Sequence, residues 1–123
     1  MTDTKLLGRF GEDTAAEYLR KNGYRILCRN FRTRLGEIDV IASKGKYMVF
    51  AEVKLRKDAS FAEAREFVTR SKQRKIMATA QLWLQRHANA LQPRFDVIEV
   101  YAPQGADTPK PEVRHWENAF TAD

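Results

Sequence analysis

The chain has 123 residues, a formal net charge of +6 and a sequence pI near 9.7. This length suits one compact domain over residues 1–123, and the basic excess favours an anionic partner, chiefly nucleic acid, over a merely solubilising surface. No apolar run approaches the roughly 20 residues of a membrane helix, so no membrane partner is expected. The single cysteine, Cys28, excludes an internal disulfide. With no signal-peptide pattern at the start, a cytoplasmic protein is expected.

The predicted elements follow from hydrophobic periodicity and turn residues. In chain order we expect a helix over 4–22 stopped by Gly23, strands over 24–31, 36–43 and 47–55, a helix over 71–88, a strand over 94–101 and a short edge strand over 112–116. Residues 57–67 and 102–111 are predicted loops, and the C-terminal residues are expected to fray. Lys44-Gly45-Lys46 is too short for a crossover, so strands two and three form a hairpin. The order predicts an α/β fold with a mixed β-sheet flanked by helices.

Three charges interrupt the apolar strands of this hairpin. Asp39 lies between Ile38 and Val40, while Glu52 and Lys54 flank Val53. Side chains alternate along a strand, so Glu52 and Lys54 share a face with Phe50. Charges inside a covered sheet are costly unless they are paired or bind a metal. The hairpin brings Asp39 towards Glu52, where a divalent cation would relieve the repulsion between the two carboxylates.

The first helix adds a further acid to this set. Glu12 lies three and four residues before the apolar Ala15 and Ala16, so it points with the inward stripe. A structural salt bridge between Lys54 and one strand carboxylate explains any single pair. Three inward acids with one lysine favour a metal site instead. Oxygen-only ligands suit Mg²⁺ or Mn²⁺, the hard cations of phosphoryl chemistry.

Signs of other chemistry are few. His87 and His115 are isolated in the sequence and lack zinc-ligand spacing. The glycines are scattered rather than gathered into a phosphate loop. The serines lie in no nucleophile motif.

The order Glu12, Asp39 and Glu52-Val53-Lys54, on helix, strand and strand, resembles the PD-(D/E)XK nuclease superfamily, with Ile38 where the name has proline. The chain resembles more closely the bacterial UPF0102 (YraN-like) family, which is related to archaeal Holliday junction resolvases. The resemblance extends to about Tyr101. It rests on the segments GRFGEDTAAEYLRKNGYRILCRNFRTRLGEIDVIA, FAEVKLR, SKQRK and RFDVIEV.

This resemblance implies a restriction-endonuclease-like fold and a Mg²⁺- or Mn²⁺-dependent endodeoxyribonuclease. It implies that Asp39 and Glu52 bind the metal, that Glu12 assists from the helix, and that Lys54 lies beside the attacking water. The expected substrate is DNA without sequence specificity, branched or single-stranded. The alternatives are a nucleic-acid-binding module with the nuclease fold but little or no cleavage, and a basic structural protein. Likeness to the resolvases also implies a homodimer, with candidate interface residues Trp83, Leu84 and Phe120.

Several residues are candidates for contacts with nucleic acid. Lys72, Gln73 and Lys75 open the second helix, where cations and the helix N-terminus suit phosphates; a solvated basic end is the alternative. Arg34 and Arg56 flank the strands and widen the basic surface. Two further acids have open roles. Glu37 shares the site or only holds a turn, and Asp96 is expected to support the edge of the core through Arg94.

Overall fold

The computed structural model describes residues 4–57 and 68–121. Its elements are α1 (Thr4–Lys21), β1 (Arg25–Thr33), β2 (Gly36–Lys44), β3 (Tyr47–Arg56), α2 (Arg70–Arg86), β4 (Gln92–Tyr101) and β5 (Glu112–Phe120), with one 3-10 turn at Gly105–Asp107. The predicted order is confirmed, although β5 is longer than the short edge strand expected over 112–116. From residue 58 onward, the loop predicted over 57–67 lies outside the described residues.

The five strands form one mixed sheet in the order β1-β2-β3-β4-β5. Neighbouring strands are antiparallel except β3 and β4, which are parallel. A parallel pair needs a long crossover, and α2 lies within the connection between these two strands. The sheet and its helices therefore confirm the predicted α/β class, and the arrangement is consistent with a nuclease-like fold. Neither described helix is long and apolar enough to cross a membrane.

Glycines fix the end of α1 and the β2–β3 turn. Gly23 has a φ of +84° and its N–H donates to the Arg20 carbonyl at 3.1 Å, while the Tyr24 N–H donates to the Leu19 carbonyl at 2.9 Å. This pair of hydrogen bonds is a Schellman motif, and it ends α1 at the position expected from Gly23 in the sequence. Gly45, with a φ of +56°, opens the two-residue loop that joins β2 to β3.

A helix covers each face of the sheet. On one face, α1 packs through Ala15 and Leu19 on a cluster that contains Val49. On the other, α2 packs through side chains that include Trp83 on a cluster that contains Phe50. The second cluster also contains Phe120, and Leu84 packs against it. The three candidate interface residues therefore already have apolar neighbours within one chain, and the C-terminal strand is held to the core as far as Phe120.

Strand β2 departs from strict alternation at Asp39. Ile38 and Ile41 both belong to the cluster beneath α2. They are three positions apart, and residues an odd number of positions apart in a regular strand point to opposite faces. Val40 belongs to the cluster beneath α1. At the departure, the Val53 N–H of β3 donates to Asp39 Oδ2 at 2.8 Å. A carboxylate therefore takes a place in the hairpin where a backbone carbonyl is usual.

Candidate metal-binding site

Glu52 is an acid in the wall of the sheet, with a side chain only 5% exposed. It lies one residue from Ala51 of the α1 cluster and two from Phe50 of the α2 cluster, so it is on the face of Phe50, as predicted, and that face is the one covered by α2. Lys72 Nζ lies 2.6 Å and Lys54 Nζ 3.7 Å from Glu52 Oε1. Burial disfavours the charged form of Lys72, but the hydrogen bond and attraction to Glu52 outweigh it and raise the pKa of Lys72.

Asp39 carries a charge that its surroundings oppose. Burial is the main reason that its pKa is raised to about 7, and repulsion from Glu52 adds to this against the hydrogen bond from Val53. Among residues 4–57 and 68–121, the basic groups of this region pair with Glu52 and not with Asp39. Asp39 Oδ1 accepts no hydrogen bond from those same residues, whereas Oδ2 accepts the Val53 N–H. One oxygen of a poorly compensated carboxylate is thus available to a ligand.

Glu12 is held at the side of this pair by β1. Asn30 Nδ2 donates to Glu12 Oε1 at 2.7 Å, and Arg29 Nη2 lies 4.0 Å from the same oxygen. The Glu12 side chain is 21% exposed, and its negative charge contributes to the raised pKa of Asp39. Asn30 adopts a φ of +55°, a left-handed conformation that asparagine tolerates better than most residues. The three predicted acids are therefore electrostatic neighbours.

The described part of the chain contains no group of three His, Cys, Asp or Glu side chains placed to hold one metal ion. A site built from Asp39 and Glu52 alone still fits Mg²⁺ or Mn²⁺. Mg²⁺ is usually bound through one or two carboxylates, with water and substrate phosphates as its other ligands. The oxygen donors and the uncompensated charge of Asp39 meet that requirement. Lys72 already places a cation at Glu52, so a metal ion bound there would have to compete with it.

The start of α2 is built around the same carboxylate. Thr69 caps the helix by accepting the Lys72 N–H at 3.1 Å, which fixes the turn from which the Lys72 side chain reaches Glu52. Gln73, a candidate for contact with nucleic acid, donates from Nε2 to the Val68 carbonyl at 2.9 Å. Lys75 is exposed. Of the three predicted nucleic-acid residues on this helix, only Lys72 contacts a site acid in the described part of the protein.

The basic residues flanking the strands divide in the same way. Arg34 is exposed in the β1–β2 turn. Arg56, predicted to meet nucleic acid, has a side chain that is 20% exposed and lies 3.5 Å through Nε from the buried Glu99. Glu37 is half exposed and pairs with Arg32 at 3.0 Å across β1 and β2. Its observed contact favours the turn-holding role.

A second buried polar cluster lies on the α1 side of the sheet. Arg94 donates through Nε and Nη2 to the two oxygens of Asp96 at 3.0 and 2.8 Å, which confirms the predicted pair. His115 Nε2 lies 2.6 Å from Asp96 Oδ2, and Tyr18 OH lies 3.1 Å from His115 Nδ1. His115, isolated in the sequence, thus finds its partners on other elements of the fold. The alternation of Arg94 and Asp96 on one strand face was the only local signal of this cluster.

Comparison with known proteins places the chain among proteins of similar length. A family model described as uncharacterised protein family UPF0102 matches residues 11–100. A UPF0102 protein of Syntrophotalea carbinolica is 46% identical over 118 residues, covering 95% of this chain and 93% of that protein. One of Rhodococcus opacus is 42% identical over 123 residues, covering 98% and 100%. One of Clostridium botulinum is 49% identical over 98 residues, covering 78% and 80%. The chain therefore belongs to the UPF0102 family.

Proposed function

We propose that this protein is a metal-dependent DNA endonuclease acting on branched or single-stranded DNA. One observation carries the proposal: Asp39 is a half-buried carboxylate that makes no ion pair with any described residue, and it lies beside Glu52 and Lys54. A purely structural set of charges would be expected to pair each acid. An acid kept uncompensated next to another acid is instead typical of a cation site.

The candidate residues divide into ligands and a charge-stabilising group. Asp39 and Glu52 hold the metal ion, with Glu12 assisting from α1. Bound there, Mg²⁺ or Mn²⁺ polarises a phosphodiester oxygen and lowers the pKa of a water ligand. Lys54, whose ammonium lies 3.7 Å from Glu52, supplies positive charge for the phosphate as negative charge develops on it. Asn30 positions Glu12 through its hydrogen bond of 2.7 Å.

The arrangement of these residues also supports a place in the PD-(D/E)XK superfamily. A helix carries Glu12, the first hairpin strand carries Asp39, and the second carries Glu52 and Lys54 in one mixed sheet. That order is the one by which the sequence resembles the superfamily. The relation to Holliday junction resolvases extends the proposal to branched DNA as substrate and to a homodimer that presents two sites to two strands.

The test is a cleavage assay with branched, single-stranded and duplex DNA in the presence of Mg²⁺, Mn²⁺ or EDTA. We expect cuts that need the metal and that disappear in Asp39→Asn and Lys54→Ala. Asp39→Asn should still bind DNA, since it removes a negative charge that repels phosphates. Lys54→Ala should still bind Mn²⁺, since lysine is not a metal ligand. Absence of cleavage by the wild type with every metal and DNA would refute the proposal.

A nucleic-acid-binding module is the second candidate. The ion pair of 2.6 Å between Lys72 and Glu52 favours it, because the protein already neutralises one proposed ligand. This candidate predicts DNA binding that is indifferent to metal. It also predicts that neither Asp39→Asn nor Lys54→Ala changes more than affinity.

A further inference from the structure

We propose that the groove between α1 and β1 binds the sugar–phosphate backbone of one nucleic-acid strand and leads it past Glu12. The inference rests on the proposed function, since it names how the substrate reaches that site. The groove has a volume of about 670 Å³. Its basic lining residues are Lys5 and Arg9 from α1 and Arg29 and Arg32 from β1.

The charges of the groove suit a polyanion. Four basic side chains line it against two acids, Glu12 and Asp13. Arg29 pairs with Asp13 at 2.6 Å, but the two side chains are 31% and 57% exposed. Such exposed pairs contribute little, so phosphate can replace the carboxylate and gain a charge-assisted, bidentate contact. Arg9 is exposed and makes no ion pair with any described residue.

Gly8 is a second, independent feature of the groove. A glycine within a helix lowers stability by about 1 kcal/mol relative to alanine, so a glycine there indicates a structural or functional need. At Gly11, where the helix lies against β3, an added Cβ would make an ordinary contact 3.6 Å from Leu55 Cδ1. At Gly8 an added Cβ would meet nothing within 4 Å, so no described neighbour requires the glycine. The bare helix backbone leaves open space in the groove wall, where a ligand can approach closely.

The lining also indicates which part of the nucleic acid is bound. None of the described residues that line this groove is aromatic, so it offers no platform on which bases stack. Arginine, lysine and the amide of Asn30 are instead the groups that contact phosphate and sugar. The groove therefore binds the backbone without reading sequence. Because Glu12 is both a lining residue and an electrostatic neighbour of Asp39, a strand in the groove passes the candidate metal site.

Fluorescence anisotropy with a labelled oligothymidylate, measured in EDTA over a series of salt concentrations, tests this path without any cleavage. Arg9→Gln should weaken binding and lower the slope of log K against log salt by about 0.7, the value for one single-strand phosphate contact. Arg20→Gln is the matched control, since it removes the same charge from an exposed position in the last turn of the same helix. It should leave the slope within error of wild type.

A neutral variant separates shape from charge. Gly8→Gln fills the open space without changing the net charge, and it should weaken binding while the melting temperature stays equal to or above that of wild type. The proposal for the groove would be overturned if Arg9→Gln and Arg20→Gln lost DNA affinity equally. It would also be overturned if Gly8→Gln bound the oligothymidylate as tightly as the wild type. If the wild type cleaves DNA and the groove variants bind and cut DNA as the wild type does, the proposed role of the groove is wrong and the proposed nuclease activity is supported. If the wild type never cleaves but the variants show the expected pattern, the groove stands and the nuclease fails.

Discussion

The surroundings of Asp39 in the folded protein disfavour its ionised form. Burial and repulsion from Glu52 raise its pKa to about 7, whereas its one described hydrogen bond comes from the Val53 N–H. Asp39→Asn removes the charge, and the amide oxygen still accepts that bond. We expect the metal-free variant to melt above the wild type at about pH 8, where Asp39 of the wild type is ionised. Mn²⁺ should raise the melting temperature of the wild type only.

The control for this experiment is Glu37→Gln, which removes an exposed acid from the same strand. Glu37 also contributes to the raised pKa of Asp39, but its described partner is Arg32. The Mn²⁺ response should survive this change. If Asp39→Asn instead melts early and the wild type ignores Mn²⁺, Asp39 is part of the scaffold.

Lys72 offers a separate prediction at the residue scale. Its ammonium lies 2.6 Å from Glu52 Oε1, so it occupies an oxygen that a metal ion needs. Lys72→Gln removes the competing cation and should tighten Mn²⁺ binding in a calorimetric titration. The matched variant, Lys75→Gln, changes an exposed lysine one turn along the helix and should not alter Mn²⁺ affinity. Weaker Mn²⁺ binding by Lys72→Gln would show that Lys72 supports the site rather than competes for it.

At the scale of the element, one glycine within α1 and one just after its C-terminal end have opposite expected effects on stability. Gly8→Ala should stabilise the protein by roughly 0.5–1 kcal/mol, because alanine favours the helix and the added Cβ meets no described atom. Gly23→Ala should destabilise it by about 1–2 kcal/mol, because the φ of +84° at the helix end strains any side chain. Urea unfolding measures both. Equal effects of the two changes would contradict the assigned roles.

The β2–β3 hairpin shows which features of the site can be predicted from the periodicity of the sequence. The period of two correctly placed Glu52 on the face of Phe50, since β3 alternates regularly from one cluster to the other. It did not reveal that β2 breaks its alternation beside Asp39, because that break depends on a side chain replacing a backbone acceptor. Nor did it reveal that Lys72 reaches Glu52, because a pattern within one helix does not specify which strand it covers. Local spacing thus predicted the strands, but not the contacts that complete the site.

At the scale of the whole molecule, the Asp96 cluster joins segments far apart in the sequence. Asp96 and Arg94 lie on β4, His115 on β5 and Tyr18 on α1. Asn118 adds a backbone N–H that donates to Asp96 Oδ1 at 3.0 Å. Such contacts form only once the sheet is assembled, which is why the sequence predicted the pair within β4 but not the partners from β5 and α1. The cluster therefore depends on the assembly of the whole sheet.

Asp96→Asn tests this role at neutral pH. Burial alone would raise the pKa of Asp96, but hydrogen bonds from His115 and Arg94 outweigh it and hold the pKa below its ordinary value. The variant removes the buried anion of the buried Arg94 and leaves it only the exposed Glu117, so the free energy of unfolding should fall by about 3–5 kcal/mol. Glu117→Gln is the matched control, because Glu117 also pairs with Arg94, at 3.0 Å, but is 61% exposed. Its loss should lie within about 0–1 kcal/mol.

The difference between wild type and Asp96→Asn should also depend on pH. A carboxyl whose pKa is lowered by folding stabilises the protein above its unfolded pKa of about 3.9, and that stability is lost as pH falls through the lower folded value. Protonated Asp96 resembles asparagine in leaving Arg94 without a buried anion. The gap measured by urea unfolding should therefore be full at neutral pH and should narrow below about pH 4. If the difference in unfolding free energy between wild type and Asp96→Asn stayed constant below about pH 4, the amide would be disturbing packing. The charge of Asp96 would then not be the source of the stability.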